Sequence, residues 1–291
     1  ADMYGGGGEN MQKDVIDFKF CDELVEEFKQ VIKHPVPSKS SVYYVGVDLG
    51  TACVVTVVLD ENRKPVAGAY EYADVVRDGM VVDYIGAVDI VRRMKAELEE
   101  KLGVEELVYA AAAIPPGTDT LDGGAVKNVV EAAGYLITSL EDESTAANKV
   151  LRIQNGAVVD IGGGTTGISI FKDGKVVYVA DEPTGGTHFS LVLSGAYRKT
   201  FEEAELFKRD GANHKEILPV LKPVIEKVSA IISRHIEGYQ VDSISLVGGT
   251  CCLAGIEEII EKNTRIPTYK PIDPMFVTPL GIAYSCTDKE R

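Results

Sequence analysis

Ala157-Val158-Val159-Asp160-Ile161-Gly162-Gly163-Gly164-Thr165 decides the fold. A β-forming run meets an aspartate, three glycines turn the chain, and a second β-run continues over 165–171. A glycine run alone need be no more than a tight turn. A Rossmann fingerprint or a P-loop must open a helix, whose N-terminus receives the phosphates. This run opens a strand and lacks the P-loop lysine, so both of those nucleotide folds are excluded. The reading that fits is a hairpin turn wrapped around an anion. Backbone without side chains approaches closely, and successive N–H groups form an anion-binding concavity. Thr165 and Thr166 add hydroxyl donors.

The pattern occurs twice. Asp48-Leu49-Gly50-Thr51 stands between β-runs at 42–49 and 54–59, and Thr51 again adds a hydroxyl. Neither aspartate can face phosphate directly, because like charges repel. A hard cation removes the conflict: Mg²⁺ prefers oxygen ligands and keeps several waters, so Asp48 and Asp160 on opposite walls could hold it through that shell. A duplicated α/β domain with a cleft between its copies is the economical explanation. A third constellation, Val247-Gly248-Gly249-Thr250 with Gly255 opening a helix, allows a flat ring or a ribose to lie against backbone.

Working outward, 65–72 completes a β-meander, and 87–102 has helical periodicity with Val88, Val91, Met94 and Leu98 on one stripe. A strand is expected at 107–114, a helix at 125–133 and a hairpin at Asp173-Gly174 leading into 176–180. Helices follow at 190–209 and 215–237, then a strand at 243–247 and a helix at 255–262. Upstream, residues 1–10 with Gly5 to Gly8 read as a flexible leader. Residues 11–34 form an amphipathic helix with Phe18, Val25, Phe28 and Ile32 inward, and Pro35, Pro37 and 38–41 a linker. The expected organisation is a leader and helix at 1–40, a first lobe at 41–150, a second at 151–276, and a C-terminal segment at 277–291 returning to the first lobe.

The 291 residues suffice for two domains, and 45% hydrophobic content supports real cores. A formal charge of −15 argues against nucleic acid and anionic membranes as partners. Cys21, Cys53, Cys251, Cys252 and Cys286 lack disulfide-framework or zinc spacing and read as thiols in a reducing cytoplasm. No apolar run reaches ~18 residues and no signal peptide is visible, so a cytoplasmic protein is expected.

At these residues, over 42–286, the chain resembles the superfamily of sugar kinases, DnaK-type chaperones and actins. The phosphate-one motif is similar to 46–51, phosphate two to 160–165, and the adenosine motif to Gly248-Gly249-Thr250 with Gly255. That resemblance implies an α/β, duplicated actin-like ATPase fold of ribonuclease H-like lobes, binding ATP with Mg²⁺ in the cleft. Glu143-Ser144-Thr145-Ala146-Ala147 resembles the first connecting helix of chaperones, which implies that Glu143, with Asp160, stands near the catalytic water. Gly185-Gly186-Thr187-His188-Phe189 resembles the loop covering the γ-phosphate. Glu205 and Lys208 resemble the pair that holds the nucleoside in bacterial actins, and Pro279-Leu280-Gly281 the second connecting segment.

Within the superfamily the chain most resembles the EutJ family of ethanolamine-utilisation proteins, described as chaperone-like. This implies ethanolamine ammonia-lyase or other ethanolamine-utilisation proteins as partners, and association with a bacterial microcompartment. Three departures matter. No C-terminal peptide-binding domain is expected, the stretch between Phe189 and Ile217 is too short for a large upper subdomain, and the first lobe has no counterpart of the chaperones' catalytic lysine. ATP binding with slow, Mg-dependent hydrolysis is therefore expected. One alternative is a small-molecule kinase of the same superfamily, with Asp119 or Asp122 as base. Another is a polymerising actin-like scaffold, whose relatives the segment 77–83 resembles. His188 and His214 are given structural roles.

Overall fold

The computed structural model describes residues 16–37, 39–77, 80–115 and 123–289. Gly5 to Gly8, Ser38, Asp78, Asp119 and Asp122, to which the sequence reading gave roles, lie outside these described residues.

Helix α1 (Lys19–Lys33) precedes β1 (Tyr44–Leu49), β2 (Cys53–Leu59), β3 (Pro65–Tyr72), the small hairpin β4 (Val76–Arg77) and β5 (Met80–Val81), α2 (Tyr84–Leu102), β6 (Tyr109–Ile114), α3 (Gly124–Ala132), β7 (Leu136–Asp142) and α4 (Glu143–Leu151). The pattern then repeats as β8 (Gly156–Ile161), β9 (Thr166–Lys172), β10 (Lys175–Glu182), α5 (Gly186–Tyr197), α6 (Phe201–Arg209), α7 (His214–Ile236), β11 (Ile244–Val247), α8 (Ile256–Thr264), β12 (Thr268–Tyr269) and α9 (Val277–Ser285). The sheets have the same order, β3-β2-β1-β6-β7 and β10-β9-β8-β11-β12. In each, the central strand pairs antiparallel with its hairpin partner and parallel with the strand that follows the crossover. The duplication read from two short motifs is thus a duplication of whole sheets.

The central strands are covered on both faces, which explains why they read as continuous apolar runs. One core lies between the first sheet and α2 and α3, another between the second sheet and α5, α7 and α8. A third joins the sheets: Val55 and Val57 of β2, Val158 of β8, Ala147 and Val150 of α4 and Leu280 and Ala283 of α9 share it with the inner face of α1. The connecting helices approach closely because Gly281 has no side chain. A Cβ there would stand 1.9 Å from the Ala146 carbonyl oxygen of α4. Gly46 likewise lets α9 lie on β1, where a Cβ would meet the Ala283 nitrogen at 2.5 Å.

Several elements differ from the sequence reading, the short strands β4, β5 and β12 among them, for which it had no counterpart. The single helix expected at 190–209 is two, broken where Arg198 adopts φ 52° and restarted by a capping box. The Thr200 hydroxyl accepts from Glu203 N–H at 3.1 Å, and the Glu203 carboxylate accepts from Thr200 N–H at 2.9 Å. Strand β7 had no counterpart in the reading. Helix α1 begins at Lys19, and Cys21, Leu24 and Val31 join Val25 and Phe28 on its buried face, whereas Ile32 is only partly buried.

Candidate functional site

Each hairpin turn closes the same way. Gly50 N–H donates to the Cys53 carbonyl at 3.0 Å, and Gly162 N–H to the Thr165 carbonyl at 3.0 Å. The two turns meet. A Cβ on Gly163 would stand 3.0 Å from the Ala52 Cβ, and one on Gly164 2.8 Å from Thr51 Oγ1. These glycines therefore let the loops close on each other. Behind the second loop, the Gly162 carbonyl accepts from Gly186 N–H at 2.8 Å and from the Thr250 hydroxyl at 3.0 Å, and the Gly163 carbonyl from Thr187 N–H at 2.7 Å. Trans peptides hold C=O and the next N–H antiparallel. The anchored carbonyls thus aim the N–H groups of Gly163 and Gly164 the opposite way, off the face that α5 covers.

Both loops border a cavity of about 340 Å³. Of the residues proposed from sequence, Asp48, Gly50, Thr51, Glu143, Asp160, Gly162, Gly163, Gly164, Thr165, Glu205, Lys208, Gly248, Gly249 and Thr250 line it. Thr166, Gly185 and Gly186 do not. Thr166 is buried and its hydroxyl donates to the Thr184 carbonyl at 2.5 Å, so it is not a phosphate donor. Gly185 is the N-cap of α5, and a Cβ there would strike the Gly162 carbonyl oxygen at 2.7 Å. Gly185 and Gly186 buttress the second loop instead of covering a ligand.

The floor is acidic. Asp48 is the penultimate residue of β1, as Asp160 is of β8, and Glu143 is the first residue of α4, capped by Asp142, whose carboxylate accepts from Thr145 N–H at 2.8 Å. Burial, then the neighbouring Asp160, pushes Asp48 up to about 7. Burial raises Asp160 to about 6 against the opposing hydrogen bond from the Thr278 hydroxyl, 3.0 Å from Oδ2. Glu143 is raised well above the usual carboxylate range, by burial first and then by Asp160 and Asp48. Among the described residues no group of three His, Cys, Asp or Glu stands close enough to cage a metal. Crowded acids without a cage suit Mg²⁺, which takes one or two carboxylates, waters and phosphate oxygens.

These shifts give a pH dependence with a definite sign. Each carboxyl holds its proton longer in the folded state, so stability is fully present near pH 4 and is lost as pH rises through about 6 to 7. The ligand-free protein is expected to melt lower at pH 8 than at pH 5, and Asp48→Asn to remove much of that slope. A slope unchanged in the variant, measured by calorimetry, would show that Asp48 carries no such strain.

At the other end, Gly248 has φ 96° and Gly249 has nothing within 4 Å of a Cβ, leaving room against the backbone. Lys208 Nζ donates to Gly186 O at 3.0 Å, to Ser190 Oγ at 2.8 Å and to Glu205 Oε1 at 3.2 Å. Burial would raise Glu205, but Lys208, Ser190 and Arg209 together hold it below its ordinary value. Burial lowers Lys208, opposed by Glu205. The sequence reading missed Thr278, one residue before a motif it did recognise, and Arg209, which follows Lys208, pairs with Glu205 at 3.0 Å and lies 3.6 Å from the Tyr72 ring centroid. His214 lines the cavity but is a pin: Nδ1 accepts from Ala254 N–H at 3.1 Å, which leaves Nε2–H to donate to Lys208 O at 2.8 Å.

Comparison with known proteins matches residues 127–277 to the family described as type IV pilus assembly protein PilM. The chain is 48% identical to the ethanolamine utilization protein EutJ of Salmonella typhimurium, over 83% of this chain and 85% of that protein. The crystal structure of EutJ from Carboxydothermus hydrogenoformans superposes with a TM-score of 0.85 at 48% identity, covering 90% of this chain and 97% of that one. MreB 5 of Spiroplasma citri bound to AMPPNP shares the fold, with a TM-score of 0.69 at 18% identity, over 83% of this chain and 95% of that one. With this identity over most of its length, and with the paired hairpins in place, the chain belongs to the EutJ family of ethanolamine utilization proteins, within the wider group that the PilM description covers, on the two-lobed actin-like ATPase fold.

Proposed function

We propose that this protein is an ATP-binding, chaperone-like accessory factor of ethanolamine utilization whose lobes open and close on Mg-ATP and which hydrolyses it slowly. The observation that carries this is the identical closure of two glycine hairpins over facing carboxylates in one cavity. Bound ATP would supply the phosphoanhydride and Mg²⁺ the charge that offsets the acidic floor. The N–H groups of Gly163 and Gly164, with the Thr51 hydroxyl, bind phosphate oxygens, while the Thr165 hydroxyl bonds the Asp181 carboxylate. Asp48 and Asp160 face the cation, Asp160 being held by Thr278. Glu205 and Lys208 take the nucleoside, and Glu143 orients water. Among the described residues Lys208 and Arg209 are the Lys and Arg side chains that line the cavity, and both are engaged by Glu205 at the nucleoside end. Charge on a transferring phosphoryl group is therefore poorly neutralised, which favours slow turnover. Its family makes other ethanolamine-utilization proteins, ethanolamine ammonia-lyase among them, the expected partners, in the cytoplasm or at a microcompartment.

Thermal melting tests the reading. Mg-ATP at ~100 times its dissociation constant should add ~2.7 kcal/mol of stability by mass action, and EDTA should remove most of that gain. Gly163→Val should abolish it, since a branched side chain forces the loops apart at Ala52 and fills the concavity. A melt of the parent protein that ignores millimolar Mg-ATP would sink the proposal.

A further inference from the structure

Helix α1 lies outside both sheets, yet it holds the segment that forms one wall of the nucleotide cavity. Its Phe28 ring sits on β3 of the first sheet where Gly68 leaves room; a Cβ on Gly68 would stand 2.2 Å from that ring. From this seat α1 holds the segment that follows β12 of the second sheet. Asp22 Oδ1 accepts from Ile272 N–H at 2.8 Å, Lys29 pairs with Asp273, and Phe28 meets Phe276 edge-on at 5.3 Å. The segment makes a tight turn: Asp273 has φ 38°, in the left-handed region that Asp tolerates better than most residues, and its carbonyl accepts from Phe276 N–H at 3.1 Å. Its other side faces the cavity. Asp273 and Met275 line the wall, and the Pro274 carbonyl accepts from Gly248 N–H at 3.1 Å, fixing the glycine expected beside the nucleoside. A ladder of edge-on rings continues from Phe276 to Tyr70 at 5.7 Å and on to Tyr72 at 5.9 Å. Tyr72 meets Arg209 of α6, so the chain of contacts returns to the second lobe beside the cavity.

We propose that α1 is an inter-lobe strap that sets one wall of the nucleotide cavity, and that Asp22 and Lys29, which do not line that cavity, are positioning residues for ATP. This rests on the nucleotide reading above. Without the two polar pins, residues 272–276 relax from the left-handed turn at Asp273, Gly248 loses its fixed partner, and the cavity must be reordered when ligand binds. That ordering cost falls on affinity. A purely structural helix contact would instead lower the stability of the free and bound protein alike and leave affinity untouched.

Calorimetric titration of the full chain with Mg-ATP decides the matter. The double variant Asp22→Ala, Lys29→Ala should bind about 3- to 10-fold more weakly, a fraction of what the hydrogen bond and the half-exposed ion pair contribute to folding, because only the reordering cost falls on affinity. Lys29→Arg should retain parental affinity. Glu23→Ala, on the exposed side of α1, serves as the control and should match the parent. Parental binding with equal affinity in the double variant overturns the strap alone. Absence of binding in the parent overturns the nucleotide reading and the strap with it.

Discussion

Gly281→Val is expected to cost ~3 kcal/mol or more, or to prevent folding, placing it among the large single-residue effects. The reason lies in what a side chain there would meet. A Cβ at Gly281 would stand 1.9 Å from the Ala146 carbonyl oxygen, 2.5 Å from its carbon and 3.0 Å from the Ala147 nitrogen. All three are backbone atoms of α4, so no side-chain rotation relieves the overlap. Nor can α9 shift, because its other flank lies on β1 at the Gly46–Ala283 contact. Glycine inside a helix is ordinarily worse than alanine by ~1 kcal/mol, so at a free helical position Gly281→Ala would stabilise. Here it should destabilise, and Gly281→Val more so. Urea denaturation followed by circular dichroism gives the numbers, and a variant as stable as the parent would show that α4 and α9 are not interlocked as described.

That glycine also marks where the sequence stopped being legible. The turns at Gly50 and Gly162 could be read because a hairpin around an anion is written in residue types: an acid, side-chain-free backbone and hydroxyls within six positions. The duplication, the two-lobed fold and most strand positions followed. Asp48 and Asp160 were expected near the turns because each stands beside a strand end, whereas Glu143 was proposed only from the resemblance of its helix start. What could not be read is which face a motif residue presents. Thr166 and Thr165 are adjacent and chemically alike, yet strand alternation turns one hydroxyl into the core. Gly185 and Gly186 carry the expected motif but spend it on holding the second loop from behind. Contacts between remote segments left no local signal either: Asp22 and Ile272 are 250 positions apart, and Tyr72 lies on β3 of the first sheet whereas Arg209 lies on α6, which packs on the second. The break at Arg198 was readable, since Thr200 and Glu203 spell a capping box. It was lost because the apolar period of α5 and α6 runs on across it.

The second large effect concerns Glu143. Glu143→Ala should lower the single-turnover rate of ATP hydrolysis by on the order of 10- to 100-fold, the loss of one group that positions water, while leaving ATP affinity nearly intact. Phosphoryl transfer asks little covalent chemistry of a protein, so placement of the nucleophile is most of what a carboxylate here contributes. The bland alternative is that Glu143 merely supplies negative charge at the N-terminus of α4, where the macrodipole favours it. That alternative predicts lower stability and unchanged kinetics. The structure sets up the opposite signs. The cap of α4 is already Asp142, bonded to Thr145, and burial first, then Asp160 and Asp48, raise Glu143 well above its ordinary range. Its folded-state pKa exceeds the unfolded one, so it contributes no stability once pH passes both values and instead costs stability when ionised. Removing it should therefore raise the melting temperature of the ligand-free protein at pH 8 as it slows turnover. A variant that melts lower and hydrolyses at the parental rate assigns Glu143 to the helix end. One that melts higher and turns over slowly assigns it to the water.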